Sequence, residues 1–245
     1  MKVRERDRIL VIGGSHTAAV YRGMTYEQKQ RVNVVNLRRP DMQRFMEGGA
    51  PTPVLAKIYK PPMILSMVGG NVHHAYGLVE HPEPFDFATP EDSSIADPDR
   101  KVISYAIMSA MMAESLASHF RMLTGLRELF DCPIIHMLSP PPMYETDHIQ
   151  QNPGEYAEQM ARGVSPASLR MKCYRLQAGL MAEHCESLGI EVVQPPVETL
   201  TDKGFLKLVY AGHDSTHANS DYGRLVMDKL MEKVDAFETS LHRSA

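Results

Sequence analysis

RILVIGGSHTAAVYRGMTYEQKQ, residues 8–30, decides the fold. A short β-branched run, RILVIG, stops at Gly13, Gly14 and Ser15, and the segment TAAVYRGMTYEQKQ that follows has a composition that can form a helix. The stretch therefore predicts a strand, a tight turn and a helix in immediate succession. Two runs further along, RVNVVNL (31–37) and MILSMV (63–68), share the nearly continuous apolar character of strands buried on both faces. Pro40 cuts off the first, and the second runs into Gly69, Gly70 and Asn71.

The rest of the chain continues the alternation. YAIMSAMMAESLASHFRMLTGLRELF (105–130) has apolar residues at three- and four-residue spacing, so its methionines read as core filling. The strand CPIIHML (132–138) follows, closed by Ser139 and the prolines 140–142, which are expected to stiffen a loop at a site rim. Ser165 and Pro166 make an N-cap and first-turn pair for a helix over 168–188 that Gly189 ends. IEVVQ (190–194) is a further strand, and YGRLVMDKLMEKVDAF (222–237) a closing helix. This order predicts an α/β chain: a mainly parallel sheet of about five strands, helices on both faces, and ligands at the carboxyl ends of the strands. One domain is expected over residues 1–245, with long polar loops at about 71–100 and 139–164. The stretch HPEPFDFATPEDSSIADPD (81–99) reads as too polar and proline-rich to pack in a core.

A formal charge of −4 shows no basic excess that would draw the chain to nucleic acid or anionic lipid, which leaves a small-molecule or soluble substrate. After the charged start MKVRERDR only about five apolar residues follow, too few for the apolar region of a signal peptide. No stretch approaches a membrane span, because Glu114 and His119 interrupt even the Met-rich segment. Cys132, Cys173 and Cys185 form no CxxC pair and leave an odd one over, which suits unpaired structural thiols in a reducing, cytoplasmic setting.

Three segments end a strand or open a helix with reactive side chains: Gly13-Gly14-Ser15-His16, Gly69-Gly70-Asn71 and Asp214-Ser215-Thr216-His217. A serine at a strand-to-helix turn presents its hydroxyl above the sheet, with its own N–H beside the positive helix end as an oxyanion donor. Such a serine needs a base, and the base needs a carboxylate to fix its tautomer; His217 and Asp214, with two residues between them in one loop, supply that pair. Asn71 adds a neutral amide that can bind an oxyanion. Each residue also has a plain alternative: a helix cap for Ser15, an Asx-turn for Asp214, a loop imidazole for His217, a left-handed turn residue for Asn71.

The order of these blocks resembles the SGNH hydrolase superfamily, the GDSL esterases and lipases, whose marks are Gly-x-Ser, Gly-x-Asn and Asp-x-x-His. The resemblance implies a three-layer flavodoxin-like fold, Ser15 as nucleophile, His217 as general base, Asp214 as its orienter and Asn71 as an oxyanion-hole side chain. It implies an esterase acting on a small or glycan-linked ester through an acyl-enzyme, without cofactor or metal, and an acyltransferase as the runner-up. The chain departs from the pattern in carrying Gly14 where the family has Asp and His16 where it has Leu. The second-block glycine that lends an N–H to the oxyanion hole is expected at Gly49 or Gly48, after the second strand. His16, His73 and His74 are expected near the same site, binding polar groups of the substrate.

Two other classes compete. His213, Asp214 and His217, joined by His73, His74 or His81, would make a metal-dependent hydrolase, although no recognised ligand spacing such as HExxH is present. A relative that only binds a glycan or partner is the other. A dinucleotide site at VIGGSH fails, since G-x-G-x-x-G is absent.

Overall fold

The structure, a computed structural model, describes residues 7–243. In chain order the elements are β1 (Ile9–Gly13), α1 (His16–Gly23), α2 (Tyr26–Arg31), β2 (Val32–Asn36), β3 (Met46–Glu47), β4 (Ala50–Pro51), α3 (Pro53–Ile58), β5 (Ile64–Met67) and α4 (Val72–Gly77). There follow β6 (Phe85–Asp86), β7 (Lys101–Val102), α5 (Tyr105–Leu129), β8 (Ile134–Met137), α6 (Thr146–Gln151), α7 (Ala167–Ser187), β9 (Glu191–Val193) and α8 (Ser220–Arg243).

The central sheet has five parallel strands in the order β2-β1-β5-β8-β9. Alternate residues of β1 explain how one apolar run serves two layers. Leu10 and Ile12 join the cluster under α5 and α7, whereas Ile9 and Val11 join the cluster under α1 and α8. The chain steps from β1 out to β2 and then returns past β1 to β5, so the strand order reverses between β1 and β5. Such a reversal opens a crevice at the carboxyl ends of the two strands, where open α/β sheets bind ligands. Ser15 follows β1, and Gly69 to Asn71 follow β5.

Several expectations are corrected. The helix read over 17–30 is two helices, because Thr25 and Gln28 form a capping box that starts α2 afresh. β2 is an edge strand and only partly buried. Ser165 does not cap α7; Pro166 holds that position, and the Ser165 hydroxyl is buried without a partner. Gly189 does end the helix, at φ 65°.

The first polar stretch is not one loop. It begins with α4, which packs on α7, and its centre pairs β6 with β7 and buries Phe85, Asp86 and Phe87. Asp86 accepts from the Phe87 and Ala96 amides and from Lys172 Nζ at 3.0 Å, inside a pocket where both side chains are shielded from solvent. An ion pair that deep, with its remaining oxygens satisfied, pins the stretch to α7. The second stretch likewise contains α6 and two short 3-10 turns, at Gly154–Tyr156 and Met160–Arg162. Prolines 140–142 are buried, and Pro140 lines a small cavity together with His16 and Ser139. No helix among the described residues is long and apolar enough to cross a membrane.

Candidate active site

Ser15 stands at the N-cap of α1, yet its side chain caps nothing. Its Oγ lies 2.8 Å from His217 Nε2, and His217 Nδ1 lies 2.8 Å from Asp214 Oδ2. Asp214 also forms the turn: Oδ1 accepts from the Thr216 and His217 amides at 2.8 Å each. Burial would raise the Asp214 carboxyl, but the bonds from the His217 ring and the Thr216 and His217 amides outweigh it and hold the group well below the usual carboxylate range. An ionised carboxylate only accepts, so His217 carries its proton on Nδ1 and leaves Nε2 free to accept from Ser15.

Two packed helices fix that distance. α1 starts one residue after Ser15 and α8 starts three residues after His217. Gly23 and Gly223 let the two helices touch along their backbones; a Cβ on Gly223 would lie 2.2 Å from the Ala19 carbonyl oxygen.

Asn71 has φ −112°, while Gly69 and Gly70 take the positive φ values before it. The left-handed alternative for Asn71 therefore does not apply. Its Nδ2 donates to the Thr216 carbonyl at 2.8 Å, which fixes the amide orientation and leaves Oδ1 to accept from His16 Nε2 at 2.8 Å. His16 thus bears its proton on Nε2. Burial lowers the His16 imidazole to about 4, helped by His217 and Arg38 and opposed by the Asn71 bond. His16 is a neutral strut that ties the β5 turn to the nucleophile turn, with its ring 5.6 Å from that of His217.

His73 and His74 are brought close but not into the pocket. His73 is sealed under α7, with its amide and Nδ1 both on Gln177 Oε1. His74 is buried with neither ring nitrogen partnered, in the wall of a separate cavity of about 530 Å³ between α4, α5 and the 3-10 turn at Tyr156. Burial lowers His73 to about 4 and His74 well below its usual value. Neither lines the pocket that contains Ser15, which corrects the expectation of direct substrate contact.

That pocket is about 180 Å³ and is lined by Ser15, Gly14, Gly70, Gly49, Arg38 and His119, among others. Of the two second-block candidates, Gly49 faces the pocket; Gly48 gives its carbonyl to Arg121 Nε instead. Arg38 and His119 were not singled out by sequence, because each reaches the site through tertiary packing from a segment without a motif, and the Thr216 carbonyl was missed because a backbone acceptor leaves no mark in the Asp214–His217 block. Among the described residues no three His, Cys, Asp or Glu side chains converge as a metal site would require.

No protein-family model matches the sequence, and no curated protein matches it. Solved structures do match in fold. A chain assigned as an acylhydrolase from Bacteroides fragilis superposes with a TM-score of 0.51 at 10% identity, over 96% of this chain and 89% of that one. The periplasmic domain of a lipopolysaccharide acetyltransferase from Salmonella ser. Paratyphi A gives 0.50 at 12%, over 95% and 85%. A chain assigned as an SGNH hydrolase from Slackia heliotrinireducens gives 0.50 at 13%, over 92% and 97%. At these identities the likeness is one of fold: the chain has the α/β architecture of SGNH hydrolases.

Proposed function

We propose that this chain, built on the SGNH hydrolase fold, is a serine esterase that forms an acyl-enzyme on Ser15. The observation that carries the reading is the continuous chain of contacts Asp214–His217–Ser15, at 2.8 Å and 2.8 Å, at the strand-order reversal. In this reading His217 Nε2 takes the Ser15 proton as Oγ attacks the ester carbonyl, Asp214 stabilises the imidazolium, and His217 then protonates the departing alcohol. Water repeats the sequence in reverse on the acyl-enzyme. The oxyanion would be met by the Ser15 N–H at the start of α1, by Gly49, and by the Asn71 amide, whose Nδ2 has a second hydrogen beyond the one given to Thr216.

The same groups serve acyl transfer when an acceptor hydroxyl replaces water, and the fold likeness to an acetyltransferase domain favours that as the second reading. A cytoplasmic setting belongs to the proposal as well. It rests on the three cysteines, which form no disulfide; burial pushes the Cys173 and Cys185 thiols up to about 12, as inert core groups.

Intact-protein mass after incubation with a fluorophosphonate tests the reading. One adduct on the wild type, absent from Ser15→Ala, is the expected result; normal ester turnover by a folded Ser15→Ala protein would overturn it. Adding a polyol acceptor to the acyl-enzyme and analysing the products separates hydrolysis from transfer.

A further inference from the structure

The pocket beside Ser15 has an electrostatic character that ester hydrolysis alone does not require. No Asp or Glu lines it. Arg38 does, from the turn after β2; its amide donates to Asn36 Oδ1, but among the described residues its guanidinium has no hydrogen bond or ion pair. The guanidinium hangs over Gly14: a Cβ placed there would meet Arg38 Nε at 3.9 Å and nothing nearer. Gly14 is also where the SGNH pattern has an aspartate, so the chain lacks a carboxylate at the position that could neutralise Arg38. A second guanidinium, that of Arg121, borders Gly49, 3.2 Å from where its Cβ would be. His119 completes the wall with a buried Nδ1 that has no partner among the described residues, and burial, followed by Arg38, lowers its imidazole below the usual value.

Position decides which part of the ester this wall meets. His217 must reach the departing alcohol to protonate it, so the alcohol lies on the His217 side of Ser15. The pocket takes no lining from residues 213–217, and it therefore faces the acyl part. Its 180 Å³ is room for roughly six water-sized groups, enough for a short chain only.

Resting on the serine-esterase reading, we propose that the acyl group is short and carries an anion, of which a carboxylate is the simplest, bound by Arg38. Ser15 Oγ then bonds to the ester carbonyl carbon, the alcohol leaves with the proton from His217, and water cleaves the new ester to release a dicarboxylate and restore the Ser15 hydroxyl. A guanidinium offers a carboxylate two parallel N–H donors, and no Asp or Glu of the pocket lining competes for them.

The test compares kcat/KM for monoethyl succinate and for ethyl succinamate, its neutral near-isostere, by titrating released acid. A third ester, acetylglycolate, places the carboxylate on the alcohol side. The wild type should prefer the succinate half-ester to the amide by about tenfold to a hundredfold, the worth of one charged hydrogen bond. That ratio should collapse in Arg38→Ala, survive in part in Arg38→Lys, and fall in Gly14→Asp, where the new carboxylate pairs with Arg38. It should also shrink as salt rises from about 0.01 M to about 1 M, over which the screening length falls from about 30 to about 3 Å. An equal rate on acid and amide, a ratio unmoved in Arg38→Ala, or a preference confined to acetylglycolate would each overturn the proposal. Should Ser15→Ala hydrolyse all three esters like the wild type, it is the serine reading that has failed.

Discussion

Asp214 has two local tasks. Oδ1 holds the turn through the Thr216 and His217 amides, and both oxygens face His217 Nδ1, Oδ2 at 2.8 Å and Oδ1 at 3.0 Å. Asp214→Asn separates the two tasks. Its remaining oxygen can keep both amide bonds, while the new NH2 faces His217 Nδ1, moves the ring proton to Nε2 and leaves Ser15 without a base. We expect ester turnover to fall by about 10² to 10⁴-fold with a thermal midpoint close to wild type, since amide-for-carboxylate exchange beside a catalytic histidine acts through the tautomer. Steady-state rates and a melting curve on the same preparation check this, and near-normal turnover would remove Asp214 from the proposed mechanism. At this scale the sequence was informative where chemistry sits in a turn: Gly13-Gly14-Ser15 and Asp214 to His217 are local, and the contacts between them follow from the strand order. The roles of His16 as a strut and of His73 as a buried partner of Gln177 were not legible, because each depends on which side chain of a distant element lies opposite.

Elements place those turns, and the α1–α8 seam places them against each other. Ala19, Gly23, Ser220 and Gly223 meet backbone to backbone, so Gly223→Ala forces the helices apart at the very point from which Ser15 and His217 are suspended. Overpacking of this kind costs about 1–3 kcal/mol, and the displaced base should lower kcat as well. Gly179, also helical, meets nothing within 4 Å where a Cβ would be, so Gly179→Ala should stabilise by about 0.5–1 kcal/mol and leave kinetics unchanged. Urea titrations of both variants make the comparison; equal effects would mean that the seam is not tight. The sheet strands were legible from short, nearly continuous apolar runs, and the long helices from three- and four-residue apolar spacing or from residues that mark their ends. α4 was not, since a six-residue helix, VHHAYG, has too few turns to show one and is held by packing on α7. β6 was hidden in the same way: Phe85 and Phe87 are buried in a stretch whose average composition is that of a loop, and Asp86 is kept there by Lys172.

Across the whole molecule, the notable feature is how many imidazoles the fold takes out of water. Burial first of all lowers His16 and His73 to about 4 and His136 to about 3, and lowers His74 and His119 in the same direction. His136 illustrates the cost, for on β8 it faces the α5 and α7 layer with a single partner, the Ser66 hydroxyl at 3.2 Å. As pH falls below about 6.5 each of these groups takes a proton in the unfolded chain but not in the native one. Unfolding then binds protons, so stability declines with falling pH, by about 1.4 kcal/mol per unit for each group, and for His16, His73 and His136 the decline continues until their native values of about 4, about 4 and about 3 are reached. For His16, His73 and His136 together the loss between pH 6 and 5 is roughly 3–4 kcal/mol, a large share of the stability of an ordinary domain, and His74 and His119 act in the same direction. Asp214, depressed as it is, contributes only at the acid end of that window. We therefore expect the urea midpoint to be flat from pH 7 to 8 and to drop steeply toward pH 5, with roughly three protons bound on unfolding near pH 5.5 from His16, His73 and His136. His136→Asn should lower that number by about one. Uptake of one proton or fewer would show that these imidazoles are charged in the native state, and the packing described around them would have to be wrong. A steep slope would instead tie the proposed esterase to near-neutral surroundings, through its core and independently of Ser15.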